Sequence, residues 1–104
     1  MKIVAVAACT IGIAHTYMAQ EAIEQECKKR GYECKVETQG GMGIENELDE
    51  DEIAAADAVI LAIAIGMEGE ERFEEKEEEG KIIKIDPSVV IRDPAEIIDQ
   101  AEKL

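Results

Sequence analysis

Ile3-Val4-Ala5-Val6-Ala7-Ala8-Cys9-Thr10-Ile11-Gly12-Ile13-Ala14-His15-Thr16 is the stretch from which the fold follows. Its first six residues form a short, apolar, partly β-branched run, the pattern of a strand covered on both faces. A helical pattern begins near Thr16, so Cys9 falls at the carboxyl end of a strand and in front of a helix N-terminus. Unpaired backbone N–H groups and the positive end of a helix dipole make such a turn an anion cradle, and they favour thiolate over thiol. A nucleophile therefore faces a phosphate-sized site.

Working outward, Met18, Ala19, Ala22, Ile23 and Cys27 recur at the spacing of one helical face between Thr16 and Arg30. Lys28, Lys29 and Arg30 suit the helix's negative end, and Gly31 stops it. Tyr32, Cys34 and Val36 alternate with charged neighbours, as in a half-exposed strand expected at a sheet edge. Residues 39–47, with Gly40, Gly41 and Gly43 close together, are expected to form a mobile or tightly turned loop. The alternative is a docking surface around Cys9 in which Met18 and Met42 are adaptable contacts.

Asp49, with Glu52 three residues on, resembles a capping box opening a short helix through Ala56. The apolar run from Ala58 to Ile65 fits a central parallel strand. Eight Glu residues between Glu68 and Glu79, against only Arg72 and Lys76, indicate a solvated helix anchored by Phe73. Lys81 to Ile85 supplies a fourth strand. Asp93-Pro94 then opens a closing helix whose apolar face is Ile97, Ile98, Ala101 and Leu104. The expectation is a single α/β domain over residues 1–104, a three-layer sandwich around a four-stranded, mainly parallel sheet of order 2-1-3-4, Rossmann-like or flavodoxin-like. Ligands of such sheets sit beyond the strands' carboxyl ends, where the strand order switches beside strand one. Cys9 belongs to that place.

The 104 residues are 46% hydrophobic but include only Tyr17, Tyr32 and Phe73 as aromatics, so one core of Ile, Val, Leu and Ala is expected. With 25 Asp and Glu against 11 Lys and Arg, the net charge is −14. Such a surface repels polyphosphate and anionic lipid, which argues against nucleic-acid binding and peripheral membrane docking. No apolar stretch approaches the roughly 20 residues of a spanning helix, and the run after Lys2 is too short and too β-branched for a signal peptide. A cytoplasmic protein is expected. Cys9, Cys27 and Cys34 are odd in number and contain no Cys-x-x-Cys pair, so neither a disulfide framework nor a metal site is expected, nor any cofactor. Cys27 and Cys34 fit as small buried hydrophobes.

A Cys before an anion loop and helix is also how cysteine phosphatases bind phosphate. Their chemistry needs a loop Arg to grip phosphate and an Asp acid to protonate the leaving group. Here His15 stands where that Arg would, and no Lys or Arg occurs between Lys2 and Lys28. Hydrolytic turnover should be poor, so phosphate on Cys9 would survive to be handed on.

Cys9, followed by Gly12-Ile13-Ala14-His15-Thr16-Tyr17-Met18-Ala19, resembles the Cys-Pro-Thr-Gly-Ile-Ala-His-Thr loop of the fructose-family enzyme IIB component of the bacterial phosphoenolpyruvate-dependent sugar phosphotransferase system. The resemblance continues through Val36-Glu37-Thr38-Gln39-Gly40, Gly43-Ile44-Glu45-Asn46-Glu47-Leu48, Ile53-Ala54-Ala55-Ala56-Asp57, Val59-Ile60-Leu61-Ala62 and Glu71-Arg72-Phe73. It implies a phosphotransferase in which Cys9 accepts phosphate from a IIA phosphohistidine and passes it to a fructose-like sugar held by the membrane IIC component. IIA and IIC would be the partners, IIC being the link to the membrane. By position, Thr10, Ile11, Gly12, Ile13, Ala14, His15 and Thr16 would form the phosphate cradle. Its amides would be joined by side-chain donors from His15 and Thr16, although His15 could equally be a helix-start residue bonded to backbone. The family's Pro and Thr after the Cys are Thr10 and Ile11 here, which removes a fixed φ and moves a hydroxyl. Ile63-Ala64-Ile65-Gly66 stands where many relatives carry an acidic residue. Two other readings stay open: a low-activity phosphatase or arsenate-reductase-like enzyme, and a regulatory binding module that has lost transfer.

Overall fold

A computed structural model describes residues 1–8, 14–40, 43–64 and 67–104, together with the backbone of Ile13. Strand β1 (Lys2–Ala8) leads to helix α1 (Ile13–Lys29), then to β2 (Glu33–Gly40) and β3 (Gly43–Glu45). Helix α2 (Glu50–Ala55) and β4 (Ala58–Ile63) follow, then a 3-10 turn (Glu70–Phe73) running into α3 (Glu74–Glu78). Strand β5 (Ile82–Ile85), α4 (Pro87–Arg92) and α5 (Pro94–Glu102) complete the described elements. The sheet has the order β3-β2-β1-β4-β5. Its four parallel strands keep the expected sequence of second, first, third and fourth.

The fifth strand corrects two expectations. β2 is not the sheet edge, and residues 39–47 are not merely a loop: Gly40 ends β2, and β3 pairs antiparallel with it through Thr38↔Glu45, Gln39↔Ile44 and Gly40↔Gly43. Gly43 has φ 93, a conformation that costs glycine little and lets the chain reverse within a short hairpin. In a three-residue strand of Gly, Ile and Glu only Ile favours strand structure, and three residues are too few to show an alternation.

Alternation along β1 divides the core. Ile3, Ala5 and Ala7 pack with Ala19, Ile23 and Cys27 of α1 and with Val90, Ile97, Ile98 and Ala101 of α4 and α5. Val4 and Val6 pack on the other face with Leu48, Ile53, Val59, Leu61 and Phe73. The alanines on the first face let α1 lie close to the sheet. Leu104 lies beyond α5 and is exposed, so it is not part of the expected apolar face. Cys27 is buried, as expected, and Cys34 is half-buried against the same cluster.

Caps fix the helix starts. Asp86 accepts from Ser88 N at 2.9 Å ahead of Pro87, so α4 begins with the same Asp-Pro signal read at Asp93-Pro94. The expected box at α2 is present: Glu52 N donates to Asp49 Oδ1 at 2.7 Å and Asp49 N to Glu52 Oε1 at 3.1 Å. Asp49→Ala should therefore cost about 1 kcal/mol, read as a lower urea midpoint at an unchanged denaturant slope. Among the described residues no helix is long and apolar enough to cross a membrane.

Candidate functional site

Because β1, β2, β4 and β5 are parallel, their carboxyl ends, Ala8, Gly40, Ile63 and Ile85, share one rim of the sheet. From β1 the chain crosses to β2 on one side, and β4 lies on the other, so this rim contains the switch in strand order. Cys9, Thr10, Ile11 and Gly12 lie outside the described residues, between the last residue of β1 and the first of α1. Ile13 opens α1, Ala14 is exposed, His15 is half-buried and Thr16 is buried.

The 17-residue α1 has no acidic residue in its first turn and has Lys28 and Lys29 in its last. No carboxylate of that turn cancels the positive end of its dipole, and bound anions gain from it. Asp86 follows the carboxyl end of β5, close enough to His15 for an electrostatic effect. Asp86 is held below the usual carboxylate range by its bonds from the Ser88 hydroxyl and amide, with a smaller contribution from His15. The Tyr17 hydroxyl donates to the Glu45 carboxylate, tying α1 to the β2–β3 hairpin, and that bond raises the phenol above its ordinary value. Met18, one of the expected adaptable contacts, is exposed on α1, while Gly41 and Met42 lie outside the described residues.

A polar network at the same rim was not anticipated from the sequence. Glu37 shares the register of Val6 and is fully buried. Arg72 grips its carboxylate with two parallel bonds, Nη1 to Oε1 at 2.8 Å and Nη2 to Oε2 at 3.0 Å. Leu48 N donates to Oε1 at 2.8 Å, and Gln39 Nε2 to Oε2 at 2.6 Å. Arg72 Nη1 also reaches Leu48 O at 2.6 Å, and Gln39 exchanges bonds with Glu68 N and O, both at 2.9 Å. Three separated stretches, 37–39, 48 and 68–72, are thus joined around one carboxylate. The signal was a single Arg inside a Glu-rich run, and the run as a whole resembled a solvated face.

Burial alone would push the Glu37 carboxyl up; Arg72, Leu48 N–H and Gln39 outweigh it and hold the group below the usual carboxylate range. A depressed acid contributes stability above its unfolded pKa and loses it as pH falls through the native value. The stability gap between wild type and Glu37→Gln should therefore be widest near neutrality and shrink below about pH 4, as read from urea midpoints across an acid series.

Of the remaining thiols, Cys34 is pushed up by its hydrogen bond with Cys27 and then by burial, so it stays protonated. Thr38, register partner of Ala7, is buried, and its Oγ1 has no hydrogen-bond partner among the described residues.

The sheet is open, with four parallel strands and the antiparallel β3 at one edge, and ligands of such sheets sit beyond the carboxyl ends of the parallel strands at the switch in strand order. Known proteins are similar to this chain in sequence and fold. The model of the PTS system lactose/cellobiose-specific IIB subunit matches residues 4–100. The fructose-like EIIB component 2 of Escherichia coli (strain K12) is 46% identical over 101 residues, which cover 97% of this chain and 92% of that protein. A fructose-like EIIBC component of the same organism is 54% identical over 72 residues, 69% of this chain and 15% of the longer protein. Among solved structures, a domain of a fructose-specific IIABC component from Borrelia burgdorferi superposes with TM-score 0.85 at 48% identity, covering 96% of this chain and 91% of that one. The crystal structure of a predicted fructose-specific IIB from Escherichia coli gives TM-score 0.88 at 35% identity, covering 98% and 87%. The chain belongs to the IIB family of the bacterial sugar phosphotransferase system, on its fructose-like branch. Proteins of this family are phosphotransferases.

Proposed function

We propose that the chain, acting over residues 1–104 as one IIB unit, is a phosphoryl carrier whose reacting atom is the Cys9 sulfur. The carrying observation is the order of the elements. In sequence, Cys9 falls between Ala8, the last residue of the central strand β1, and Ile13, the first of α1, inside the span that the family model matches. The thiolate attacks phosphorus on a IIA phosphohistidine; the N–P bond breaks as the S–P bond forms. A sugar hydroxyl bound by IIC then attacks, the S–P bond breaks, and the hydroxyl proton passes to a base in that complex.

In this reading Thr10, Ile11, Gly12, Ile13, Ala14, His15 and Thr16 form the cradle, through the backbone amides of Ile11 to Thr16 and side-chain donors from His15 and Thr16. Positioning and charge stabilisation suffice for such a transfer. The EIIBC relative, which joins the two components in its name, supports IIC as the membrane partner and a cytoplasmic location at its face. The branch favours a fructose-like sugar, and Met18 and Met42 are adaptable contacts for the two partners. Without a cation between Lys2 and Lys28 the same site makes a poor phosphatase or arsenate reductase.

Incubation with phosphoenolpyruvate, the general phosphotransfer proteins and a fructose-type IIA should add one phosphoryl group to the intact mass, with negligible hydrolysis of an aryl phosphate. Steady aryl phosphate turnover without a stable adduct would favour the hydrolase. No adduct on the wild type, but rapid labelling once Thr10→Pro and Ile11→Thr are introduced, would favour the transfer-deficient binding module.

A further inference from the structure

The junction of α1 and β2 is built by one local device. Tyr32 N donates to Cys27 O at 2.9 Å and Gly31 N to Lys28 O at 3.1 Å, and Gly31 has φ 75. Two such bonds around a left-handed glycine form the helix-ending motif in which the residue after the glycine folds back against the helix's last turn. Tyr32 does so, and Cys34, two residues on, lies on the same face of the sheet. Cys34 is the register partner of Ile3, which packs in one cluster with Cys27. The turn thus brings the two thiols together, and they are hydrogen-bonded to each other. Both are free thiols, but they differ in access: Cys27 is 0% exposed, whereas Cys34 is half-buried. A thiol open to solvent with a second thiol in contact is the arrangement of a reactive sulfur beside a resolving one.

We infer that Cys27 and Cys34 are a site of reversible oxidation, closing to a disulfide when a hydroperoxide reaches Cys34. The Cys34 sulfur attacks the peroxide. An S–O bond forms as the O–O bond breaks, and the alcohol or water released takes up the thiol proton. The Cys27 sulfur then attacks Cys34; the S–S bond forms, the S–O bond breaks, and hydroxide leaves with the Cys27 proton as water. A dithiol reductant reverses the bond by exchange. The hydrogen bond with Cys34 lowers the Cys27 thiol, burial opposes it and Arg30 assists it, which suits Cys27 to the second step. Cys34 stays protonated at rest, so the first step is slow and the pair responds to abundant hydroperoxide rather than to traces. In a reducing compartment such a bond is transient rather than a framework. It clasps the end of α1 to β2, and its chemistry is independent of phosphoryl transfer at Cys9.

The test is treatment of the folded protein with hydrogen peroxide, alkylation of the remaining thiols and digestion with a Glu-specific protease. That protease cuts between all three cysteines, at Glu21, Glu24, Glu26 and Glu33. The expected product is a linked pair of Cys27 and Cys34 peptides, two hydrogens lighter than the separate peptides and released by dithiothreitol. The linked form should have a higher thermal midpoint than the reduced protein, since the bond restricts the unfolded chain. Cys34→Ser should leave Cys27 reduced under the same treatment, because the thiol that the peroxide reaches is gone. Cys34 carried to sulfinic or sulfonic acid with Cys27 reduced, or both thiols unchanged, would overturn the inference. So would linkage that appears only in urea, a link from either residue to Cys9, Cys27 oxidised in Cys34→Ser, or a linked form that melts below the reduced one.

Discussion

Arg72→Ala is expected to destabilise the protein by about 3–5 kcal/mol, a large part of a small domain's stability. The reason is asymmetry of burial. The Glu37 side chain is 0% exposed and that of Arg72 12%, so truncation leaves a carboxylate in the interior with Leu48 N–H and Gln39 as its remaining donors among the described residues. The substitution also abandons Leu48 O and Gly69 O, which accept from Arg72 at 2.6 and 2.8 Å. Arg72→Lys keeps the charge but not the two-pronged grip and should recover only part of the loss. Adding Glu37→Gln to Arg72→Met removes both charges and should be less harmful than Arg72→Ala alone. Urea denaturation separates these cases. A loss below about 1 kcal/mol for Arg72→Ala would mean that the pair behaves like an exposed ion pair.

The largest functional effect is expected from Cys9→Ser. A hydroxyl preserves the size of the group but is almost wholly protonated near neutrality, whereas a thiol beside a helix N-terminus is readily ionised. Phosphoryl uptake from IIA should fall about a thousandfold or more, equivalent to about 4 kcal/mol in the barrier. The thermal midpoint should scarcely move. Cys27→Ser and Cys34→Ser should leave uptake near wild type, since both residues lie near the junction of α1 and β2, at the other end of the sheet from the rim. Equal uptake by Cys9→Ser and wild type would remove the thiol from the chemistry.

What the sequence disclosed depended on the range of each signal. β1 and β4 carry uninterrupted apolar runs, and burial on both faces leaves such runs little other interpretation. The Asp49–Glu52 box and the Asp93-Pro94 start are local and so legible, and Asp86-Pro87 carries the same local sign for α4. β3 depends on pairing with β2 rather than on its own residues, and no periodicity announces three residues. The Glu37–Arg72 bond spans 35 positions and depends on a strand register, which composition cannot provide. The resemblance nevertheless picked out 36–40, 43–48 and 71–73 as matched stretches, and the network supplies a physical reason for that grouping: Glu37, Gln39, Leu48 and Arg72 form one polar frame beside the rim. For the site itself the sequence carried the reading further than the fold does, since Cys9 to Gly12 lie outside the described residues.

The central claim is that Cys9 carries the phosphoryl group, and the chain offers His15, its sole histidine, as the neighbouring alternative. Tandem mass spectrometry of the protein phosphorylated by IIA, under conditions that preserve both S–P and N–P bonds, tests this most directly. A single phosphoryl group on Cys9 with His15 unmodified is the predicted result. Phosphate on His15, or a protein that takes none while IIA is fully loaded, would contradict it.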